Sequence, residues 1–477
     1  MTEQAFNKAD NPQRIAFIGG AASTIITLAY LVRDIKSGLA SPAELVIFDK
    51  HGLNEGPAYR HRNPGFILNQ PCGEDMNPFA EGGDGLPRSF INWLNSDQNR
   101  QKTEKAYHAG DFVSRGLYGD YLLYVKDWVQ QEIQGRNDVT LRVVNANIAH
   151  VAKQQGQKTD AYTLTTEWGT TETAHGLVLA TGHTYSPKIK HERYLPVYAG
   201  TDFGNQLQSL SQTTDTKTII GSGASMADVV CAFEQLGHQG NYAVISPYGN
   251  TRWPYNPLAV KPADERIQGY VEAFLDSRDR RPTSEKLRSI VTTIQNAGFG
   301  PQYILAALLN NDQVKQDADL LKVTKAFYGN PLSPERFEKL AQLEKEGRLT
   351  TITDRVAEIT PSADNKLVLR LETKSEQTAQ HVIDCSVVNR GLTDTPRYLR
   401  DMIGAGVVQT THNGQALPNS ASDNGKIFAV GPITNAFKNG IGSFRDGYRD
   451  VAENVAKILR RPQPGFSPAA PQVPVVV

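Results

Sequence analysis

The chain has 477 residues, about three times the length of a typical domain. Its 50 Lys and Arg residues balance 50 Asp and Glu residues, so it lacks the basic excess that binding to nucleic acid or an anionic membrane requires. An apolar content of 39% is that of a globular protein. The three cysteines lie far apart, which argues against a disulfide scaffold or zinc ribbon and favours a reducing, cytoplasmic setting.

The first predicted elements are a strand, a turn and a helix within the uncharged run 15–32. A run of this length approaches that of a membrane span. However, Gly19-Gly20 divides it after a short strand, and the following helix begins with small and hydroxyl residues. Glu3 and Asp10 also argue against a signal peptide. We therefore predict a strand–turn–helix rather than a membrane span.

Two dinucleotide-binding units are predicted along the chain. The strand at 44–49 completes a β-α-β unit with the elements before it, and a second unit covers 217–246. Alternating apolar and polar residues after each unit predict β-meander segments at 139–151, 161–168, 349–359, 366–372 and 381–391. The predicted fold class is therefore α/β, with two Rossmann-like dinucleotide-binding domains and β-meander segments.

Helical periodicity dominates the region 264–348, which we interpret as a helical insertion in the second unit. An amphipathic helix is predicted at 444–459, followed by a Pro-rich flexible tail. The predicted domains are the first part of the first dinucleotide-binding domain at 10–190, the second dinucleotide-binding domain at 195–380, the C-terminal return of the first domain at 381–461, and the tail at 462–477.

The two glycine motifs differ in quality. A dinucleotide fold needs glycines for a tight turn, for close approach of the backbone to a pyrophosphate, and for packing of helix against strand. The second motif supplies Gly221 and Gly223, and the amides of its helix start, which includes Ser225, can hold a pyrophosphate. In the first motif only Gly19 stands in its expected place. Ala21 and Thr24 replace the other two glycines, and hydroxyl groups of Ser23 and Thr24 are candidate donors to the phosphates.

The ends of the second strands indicate which nucleotide each unit takes. Asp49 closes the strand of the first unit, where a carboxylate can accept the ribose hydroxyls of an adenosine. A solvated loop aspartate is the alternative. No acid closes the strand of the second unit, which ends at Ser246 and is followed by Arg252. A hydroxyl and a cation suit a 2′-phosphate and favour NADP over NAD, although Arg252 alone is equally compatible with an ordinary surface arginine.

Further segments carry a resemblance to a known family. They are Gly56-Pro-Ala-Tyr59, Leu68-Asn69-Gln70-Pro71, Arg115-Gly-Leu-Tyr118, Leu179-Ala-Thr181-Gly182-His183, Gly221-Ser-Gly223-Ala-Ser225, Val430-Gly431-Pro432 and Arg445-Asp446. Together with the two units, they resemble the two-dinucleotide-domain, FAD/NAD(P)-binding flavoproteins related to the class B flavin monooxygenases. The resemblance covers nearly the whole chain and is weakest in the helical insertion and the tail.

This resemblance implies FAD in the first domain and NADPH in the second, with hydride passing to the flavin. It adds Asn69, Gln70, Thr181, Gly182, Gly431 and Asp446 to the candidate cofactor-binding residues. It also makes Arg115, His183 and Arg445 candidates for the active site, each with a purely structural alternative. No metal-ligand spacing is legible. Cys72 follows the expected flavin contact but has no nearby partner thiol, so a buried free cysteine is favoured over a disulfide reductase.

Three functions are compatible with the sequence. The first is an NADPH-dependent flavin monooxygenase that acts on a small molecule and oxygen, by N-hydroxylation or Baeyer–Villiger-type insertion through a flavin hydroperoxide. The second is an FAD-dependent NAD(P)H oxidoreductase without oxygenation. The third is a non-catalytic nucleotide-binding protein, suggested by the imperfect first glycine motif. The sequence leaves the substrate and the oligomeric state open.

Overall fold

The structure is a computed structural model. It describes residues 13–38, 43–73, 76–79, 85–154, 161–182, 184–185, 187–197, 203–256, 259–276, 278–386, 388–389, 392, 395–411, 417–422, 425–434 and 443–459. Two of the earlier predictions, His183 and the tail at 462–477, lie outside these residues.

The first part of the chain alternates strands and helices and then forms a small meander. Its elements are β1 (Gln13–Ile18), α1 (Ala22–Lys36), β2 (Ala43–Phe48), α2 (Phe90–Leu94), α3 (Asp97–Thr103), α4 (Arg115–Ile133), β3 (Val139–Val144), β4 (Ile148–Lys153), β5 (Tyr162–Thr166), β6 (Thr171–Ala174), β7 (Gly176–Leu179) and β8 (Thr184–Tyr185). Helix α4 begins where it does because the Ser114 hydroxyl accepts the backbone N–H of Leu117 at 3.1 Å.

The middle of the chain repeats this plan around a helical insertion. Its elements are β9 (Tyr194–Pro196), α5 (Phe203–Ser211), β10 (Lys217–Ile220), α6 (Ala224–Gln235), β11 (Tyr242–Ser246), β12 (Trp253–Pro254), α7 (Asp264–Leu275), α8 (Thr283–Asn296), α9 (Pro301–Asn310), α10 (Asp312–Gln316), α11 (Ala318–Tyr328), β13 (Pro331–Leu332), α12 (Pro334–Lys345), β14 (Leu349–Thr353), β15 (Val356–Pro361), β16 (Leu367–Leu371), β17 (Glu376–Ala379) and β18 (Val382–Asp384).

The last part of the chain returns to the first domain. Its elements are β19 (Val388–Asn389), α13 (Arg397–Gly404), β20 (Ile427–Ala429), a 3-10 turn (Gly431–Thr434) and α14 (Ser443–Leu459). Strand β20 pairs in parallel with β7. The C-terminal helix therefore begins shortly after a strand that belongs to the first sheet.

Two parallel five-stranded sheets organise the molecule and confirm the predicted α/β fold class. The first has the order β20-β7-β1-β2-β3 and the second the order β14-β11-β10-β18-β9. In each sheet the strand that precedes a glycine turn, β1 or β10, is central. Two antiparallel meanders, β4-β5-β6 and β15-β16-β17, complete the plan. The carboxyl ends of the central strands are where nucleotides bind in such sheets.

Three predicted meander segments divide differently in the structure. The segment 139–151 is split between β3, which joins the first parallel sheet, and β4, which joins a meander. The segment 349–359 is split in the same way between β14 and β15. Strand β18, predicted within the C-terminal return that starts at 381, pairs with β10 in the second sheet. Alternation of side chains could not distinguish β3 and β14 from meander strands, because an edge strand of a parallel sheet also alternates, whereas β18 lies inside the second sheet between β10 and β9.

Helix α1 explains the uncharged run near the N-terminus. It packs on α4 and α14, and its residues from Ser23 to Val32 are all buried. A helix covered on all sides needs no polar face, so the run reflects burial within the protein. In the part of the chain that the structure describes, no helix combines the length and the apolar character needed to cross a membrane.

Candidate functional site

The first glycine turn connects β1 to α1 and requires glycine at its first position. Gly19 has φ of +108°, and a Cβ built on it would lie 2.2 Å from the carbonyl oxygen of Ala180. Both the backbone conformation and this approach exclude a side chain. The turn thereby brings the start of α1 against the end of β7, where Thr181 and Gly182 follow.

Asp49 organises the same turn from the end of β2. One carboxylate oxygen accepts the backbone N–H of Gly20 and the other accepts the N–H of His51, both at 2.8 Å. Each oxygen retains a second lone pair. The carboxylate is therefore fixed in place and still able to accept ribose hydroxyls, and its role in an adenosine site stays a prediction.

The side chains of Ala21 and Thr24, the two residues in place of glycines, pack against other parts of the chain. The Ala21 methyl faces Gly56, where a Cβ would lie only 2.9 Å away and where φ is +87°. Thr24 is fully buried and donates its hydroxyl to the carbonyl oxygen of Gly19 at 2.6 Å. Thr24 is therefore not a free donor to a phosphate. Gly56, which has no side chain, supplies the space that the Ala21 methyl occupies.

The C-terminal return closes over the first turn of α1. Gly431 has φ of +76°, and a Cβ on it would lie 2.2 Å from the hydroxyl oxygen of Ser23. That hydroxyl is also 3.4 Å from the Tyr448 hydroxyl on α14. Ser23 and Gly431 therefore meet at the first turn of α1, and the Thr181 backbone lies beside Gly19. The cofactor-binding roles of these residues and of Gly182 stay predictions.

The other predicted residues of the return contribute less to this site. Asp446 is exposed in the first turn of α14 and pairs with Arg449 at 3.0 Å. Arg445 lies in the same turn, but its side chain is outside the described part of the chain. The structure therefore brings Gly431 to the helix N-terminus and leaves Asp446 engaged in a surface ion pair.

Arg115 belongs to a largely buried ion cluster that joins three parts of the chain. Its Nε donates to the carboxylate of Asp228 on α6 at 3.0 Å. Arg336 on α12 donates to the other oxygen of the same carboxylate. The Asn69 side-chain oxygen accepts Nη2 of Arg336 at 3.2 Å and lies 3.5 Å from Nη2 of Arg115. We name Arg115, Asp228, Arg336 and Asn69 the interdomain cluster. Gln70 is half-buried beside it.

Two members of the interdomain cluster, Asp228 and Arg336, were missed as site residues. Arg336 is almost completely buried, with 1% of its surface exposed, and Asp228 is not exposed at all. Two guanidinium groups against one carboxylate leave a net positive charge at the junction of the domains. The available signal was a charged residue on the apolar face of a predicted helix, because Arg336 lies four residues before Leu340.

The second glycine turn has the expected backbone. Gly221 has φ of +94° and lies against the backbone of Cys385, which follows β18. Gly223 directly precedes α6, and Ser225 is half-buried in the first turn of that helix. These residues form the N-terminus at which a pyrophosphate was predicted.

Ser246 and Arg252 do not offer their polar groups at the end of β11. The Ser246 hydroxyl is buried and bonded to the Ser222 hydroxyl at 2.9 Å. Arg252 has a side chain that is 1% exposed and bonded to Glu344 at 2.6 Å. Burial lowers the pKa of this guanidinium. The geometry therefore argues against Arg252 as the ligand of a 2′-phosphate.

Arg288, which the sequence did not single out, stands at this position instead. It lies on α8 in the insertion, and its Nε and Nη2 donate to the Asn250 carbonyl oxygen at 3.2 and 3.0 Å. A Cβ built on Gly249 would lie 3.3 Å from the same Nη2. The side chain is half-buried. A cation from a distant segment therefore lies against the loop that follows β11.

Metal and thiol chemistry find no support in the described residues. Within the described ranges, no group of three or more His, Cys, Asp or Glu side chains could hold a metal ion. The Cys72 thiol is buried and donates to the carbonyl oxygen of His108 at 3.1 Å. Burial raises the pKa of Cys72 to about 11 and that of Cys231 to about 12. These groups are therefore packed as thiols.

The thiols of Cys72 and Cys231 are expected to react slowly with a disulfide reagent at about pH 8, because the thiolate is the reactive form and a raised pKa keeps the thiol protonated. The rate in the native protein should rise with pH well beyond pH 9, whereas the unfolded chain should react at once. Absorbance followed over time after addition of the reagent measures the reaction rates of the native and the denaturant-unfolded chain. Reaction of Cys72 or Cys231 in the native protein as fast as in the unfolded chain would contradict the burial.

Comparisons with known proteins agree with this architecture. Residues 16–184 match the family model described as FAD-NAD(P)-binding. The ornithine N-hydroxylase of Kutzneria sp. 744 has a similar structure, with 12% identity, coverage of 94% of this chain and 99% of that chain, and a TM-score of 0.59. The cadaverine monooxygenase of Erwinia amylovora, at 12% identity, covers 94% of both chains with a TM-score of 0.57.

A third similar structure is the ornithine hydroxylase of Pseudomonas aeruginosa, with 13% identity, coverage of 94% of this chain and 98% of that chain, and a TM-score of 0.57. No curated protein sequence matches the chain. The coverage and TM-scores show a shared fold along nearly the whole length of the chain, and at such low identities they show the fold alone. The chain therefore shares its fold with these flavin-dependent hydroxylases and monooxygenases, and its residues 16–184 match the family model described as FAD-NAD(P)-binding.

Proposed function

We propose that the chain is an NADPH-dependent FAD monooxygenase that acts on a small molecule, by N-hydroxylation or Baeyer–Villiger-type insertion, in the cytoplasm. The observation that carries the proposal is the direct contact of Arg115 with Asp228. It joins α4, which lies between β2 and β3 of the first sheet, to α6, the glycine-turn helix of the second unit. Nucleotides held at the two units would meet at this junction, as hydride transfer between them requires.

The first unit has the features that fit FAD. Gly19 allows the tight turn that ends β1 beside Ala180, Asp49 holds an oriented carboxylate that could accept ribose hydroxyls, and Gly431 lets the C-terminal return approach the first turn of α1 closely. When bound there, FAD supplies hydride acceptance and the activation of oxygen. The residues of the chain position and shield it. The space that Gly56 gives to Ala21 weakens one of the two arguments for a non-catalytic nucleotide-binding protein.

The junction of the two domains is suited to holding reactants away from water. Asp228 and Arg336 of the interdomain cluster are buried and Arg115 and Asn69 are half-buried. The ring of Phe112 meets that of Tyr255 edge-on at a centroid distance of 6.1 Å. Phe112 precedes α4 and Tyr255 follows β12, so the contact spans both domains. Exclusion of water strengthens the electrostatic interactions of Arg115 and protects reactive species from hydrolysis.

The experiment that tests the proposal is a measurement of NADPH oxidation and oxygen uptake by the FAD-loaded protein. A panel of primary amines, including ornithine, lysine and cadaverine, and a panel of cyclic ketones serve as candidate substrates. We expect one class to accelerate both rates and to appear as an oxygenated product. Equal rates with every compound, all oxygen recovered as peroxide, and turnover with an anaerobic acceptor would instead establish the oxidoreductase without oxygenation.

Arg288→Ala is expected to weaken binding of NADP⁺ by about tenfold to a hundredfold and to leave binding of NAD⁺ nearly unchanged, because a hydrogen-bonded charge pair with a phosphate contributes about 1.5–3 kcal/mol. Arg281→Ala is the matched control, since Arg281 lies in the same insertion and pairs at the surface with Asp279. Titration calorimetry with both nucleotides measures the two affinities. An equal loss for NADP⁺ and NAD⁺ would show that Arg288 does not contact the 2′-phosphate.

A further inference from the structure

The N-terminus of α6 is occupied by a side chain from the helical insertion. The side-chain oxygen of Asn330 accepts the backbone N–H of Ala224, the first residue of α6, at 3.3 Å. Asn330 lies between α11 and β13, far from α6 in the sequence. The amide oxygen therefore accepts one of the backbone N–H groups that have no partner within the first turn of a helix.

Gly223 places the Asn330 amide at the point where a phosphate would approach. A Cβ built on Gly223 would lie 2.5 Å from the Asn330 side-chain oxygen and 3.3 Å from its nitrogen. In a dinucleotide unit, the second glycine of the motif keeps this space free for the pyrophosphate. The space that the motif creates is thus filled by Asn330.

Two further bonds hold the amide in this orientation. Its nitrogen donates to the Thr251 hydroxyl at 2.8 Å and to the carbonyl oxygen of Ala326 at 2.7 Å. The surrounding backbone is fixed as well, because the Trp253 indole donates to the carbonyl oxygen of Phe327 at 2.7 Å. Because both acceptors bind the Asn330 nitrogen, its oxygen, and not its nitrogen, is directed at α6.

We propose that Asn330 fills the pyrophosphate position of the second dinucleotide site when no nucleotide is bound, and that NADP(H) must displace it. A phosphate oxygen carries charge and is a stronger acceptor for the Ala224 N–H than a neutral amide oxygen. The nucleotide phosphate therefore replaces Asn330 as the acceptor of the Ala224 N–H, but the net affinity for the nucleotide is reduced by the interaction that Asn330 loses. The helical insertion thus sets the affinity for the nucleotide. This inference rests on the proposed use of NADPH.

The test compares NADP⁺ binding by FAD-loaded full-length chains carrying Asn330→Ala or Asn330→Asp. We expect Asn330→Ala to bind NADP⁺ about three to ten times more tightly than the wild type, since no hydrogen bond of ordinary strength has to be given up. Asn330→Asp is expected to bind at least about tenfold more weakly, because its carboxylate is a better ligand of the helix N-terminus and repels the pyrophosphate. Titration calorimetry gives both affinities.

Asn311→Ala is the matched control. The Asn311 side chain accepts the backbone N–H groups of Gln313 and Val314 at the start of α10, in the same insertion but at a different helix. This variant loses a comparable bond and should bind NADP⁺ like the wild type. Weaker binding by Asn330→Ala, or unchanged binding by both Asn330 variants, would overturn the inference. Failure of the wild type itself to bind NADP⁺ would instead overturn the proposed function.

Discussion

Asp228→Asn is expected to lower the free energy of unfolding by about 3–5 kcal/mol, which is the usual cost of breaking a buried ion pair by removing one partner. Asp228 is fully buried and is the only carboxylate described in contact with both Arg115 and Arg336. Asparagine preserves the shape but leaves two guanidinium groups facing a neutral amide. Chemical unfolding monitored by circular dichroism measures the loss.

Glu358→Gln serves as the control for the loss of an ion pair as such. Glu358 pairs with Arg370 at 2.6 Å, and about half of each side chain is exposed. An exposed pair of this kind contributes about 0–1 kcal/mol, so the control should unfold nearly like the wild type. The double variant with Asp228→Asn and Arg336→Met should recover part of the loss, since it removes one of the two uncompensated charges. A loss for Asp228→Asn no larger than for Glu358→Gln would contradict the assignment.

The elements that the sequence predicted correctly are those determined by local patterns. The strand–turn–helix around Gly19, the second motif at Gly221, and the helices of the insertion all depend on residues a few positions apart. Helical and strand periodicities, turn glycines and capping residues act over that range. Asp49 was also predicted, because a carboxylate at the end of a strand has a position that topology alone determines.

The features that escaped prediction depend on contacts between distant segments. Arg288, Asn330 and Arg336 all lie in the insertion, and each reaches a partner outside it or at its edge. Arg252 was chosen because it follows β11 closely, yet Glu344 holds it in the interior. Nothing in one sequence shows which of two arginines a long insertion will bring to a strand end. The same limit applies to Ala21, whose space depends on Gly56.

Gly19→Ala is expected to abolish stable FAD binding, so that the purified variant is colourless under conditions in which the wild type retains its flavin. An alanine here needs a φ of +108° and a Cβ 2.2 Å from the carbonyl oxygen of Ala180. The first requirement costs about 1–2 kcal/mol. The second cannot be met by rotating a side chain, because the obstructing atom is backbone, so the turn between β1 and α1 must open.

A matched glycine separates these two requirements. Gly135 has φ of +80° and has no atom within 4 Å of a Cβ built on it, so Gly135→Ala carries only the cost of the left-handed conformation. That variant should lose about 1–2 kcal/mol of stability and keep its flavin. Absorbance near the flavin maximum after gel filtration, with FAD titration of the deflavinated proteins, distinguishes the two. If Gly19→Ala retained FAD as Gly135→Ala does, the pyrophosphate could not lie against this turn, and the first unit would have to hold its nucleotide elsewhere.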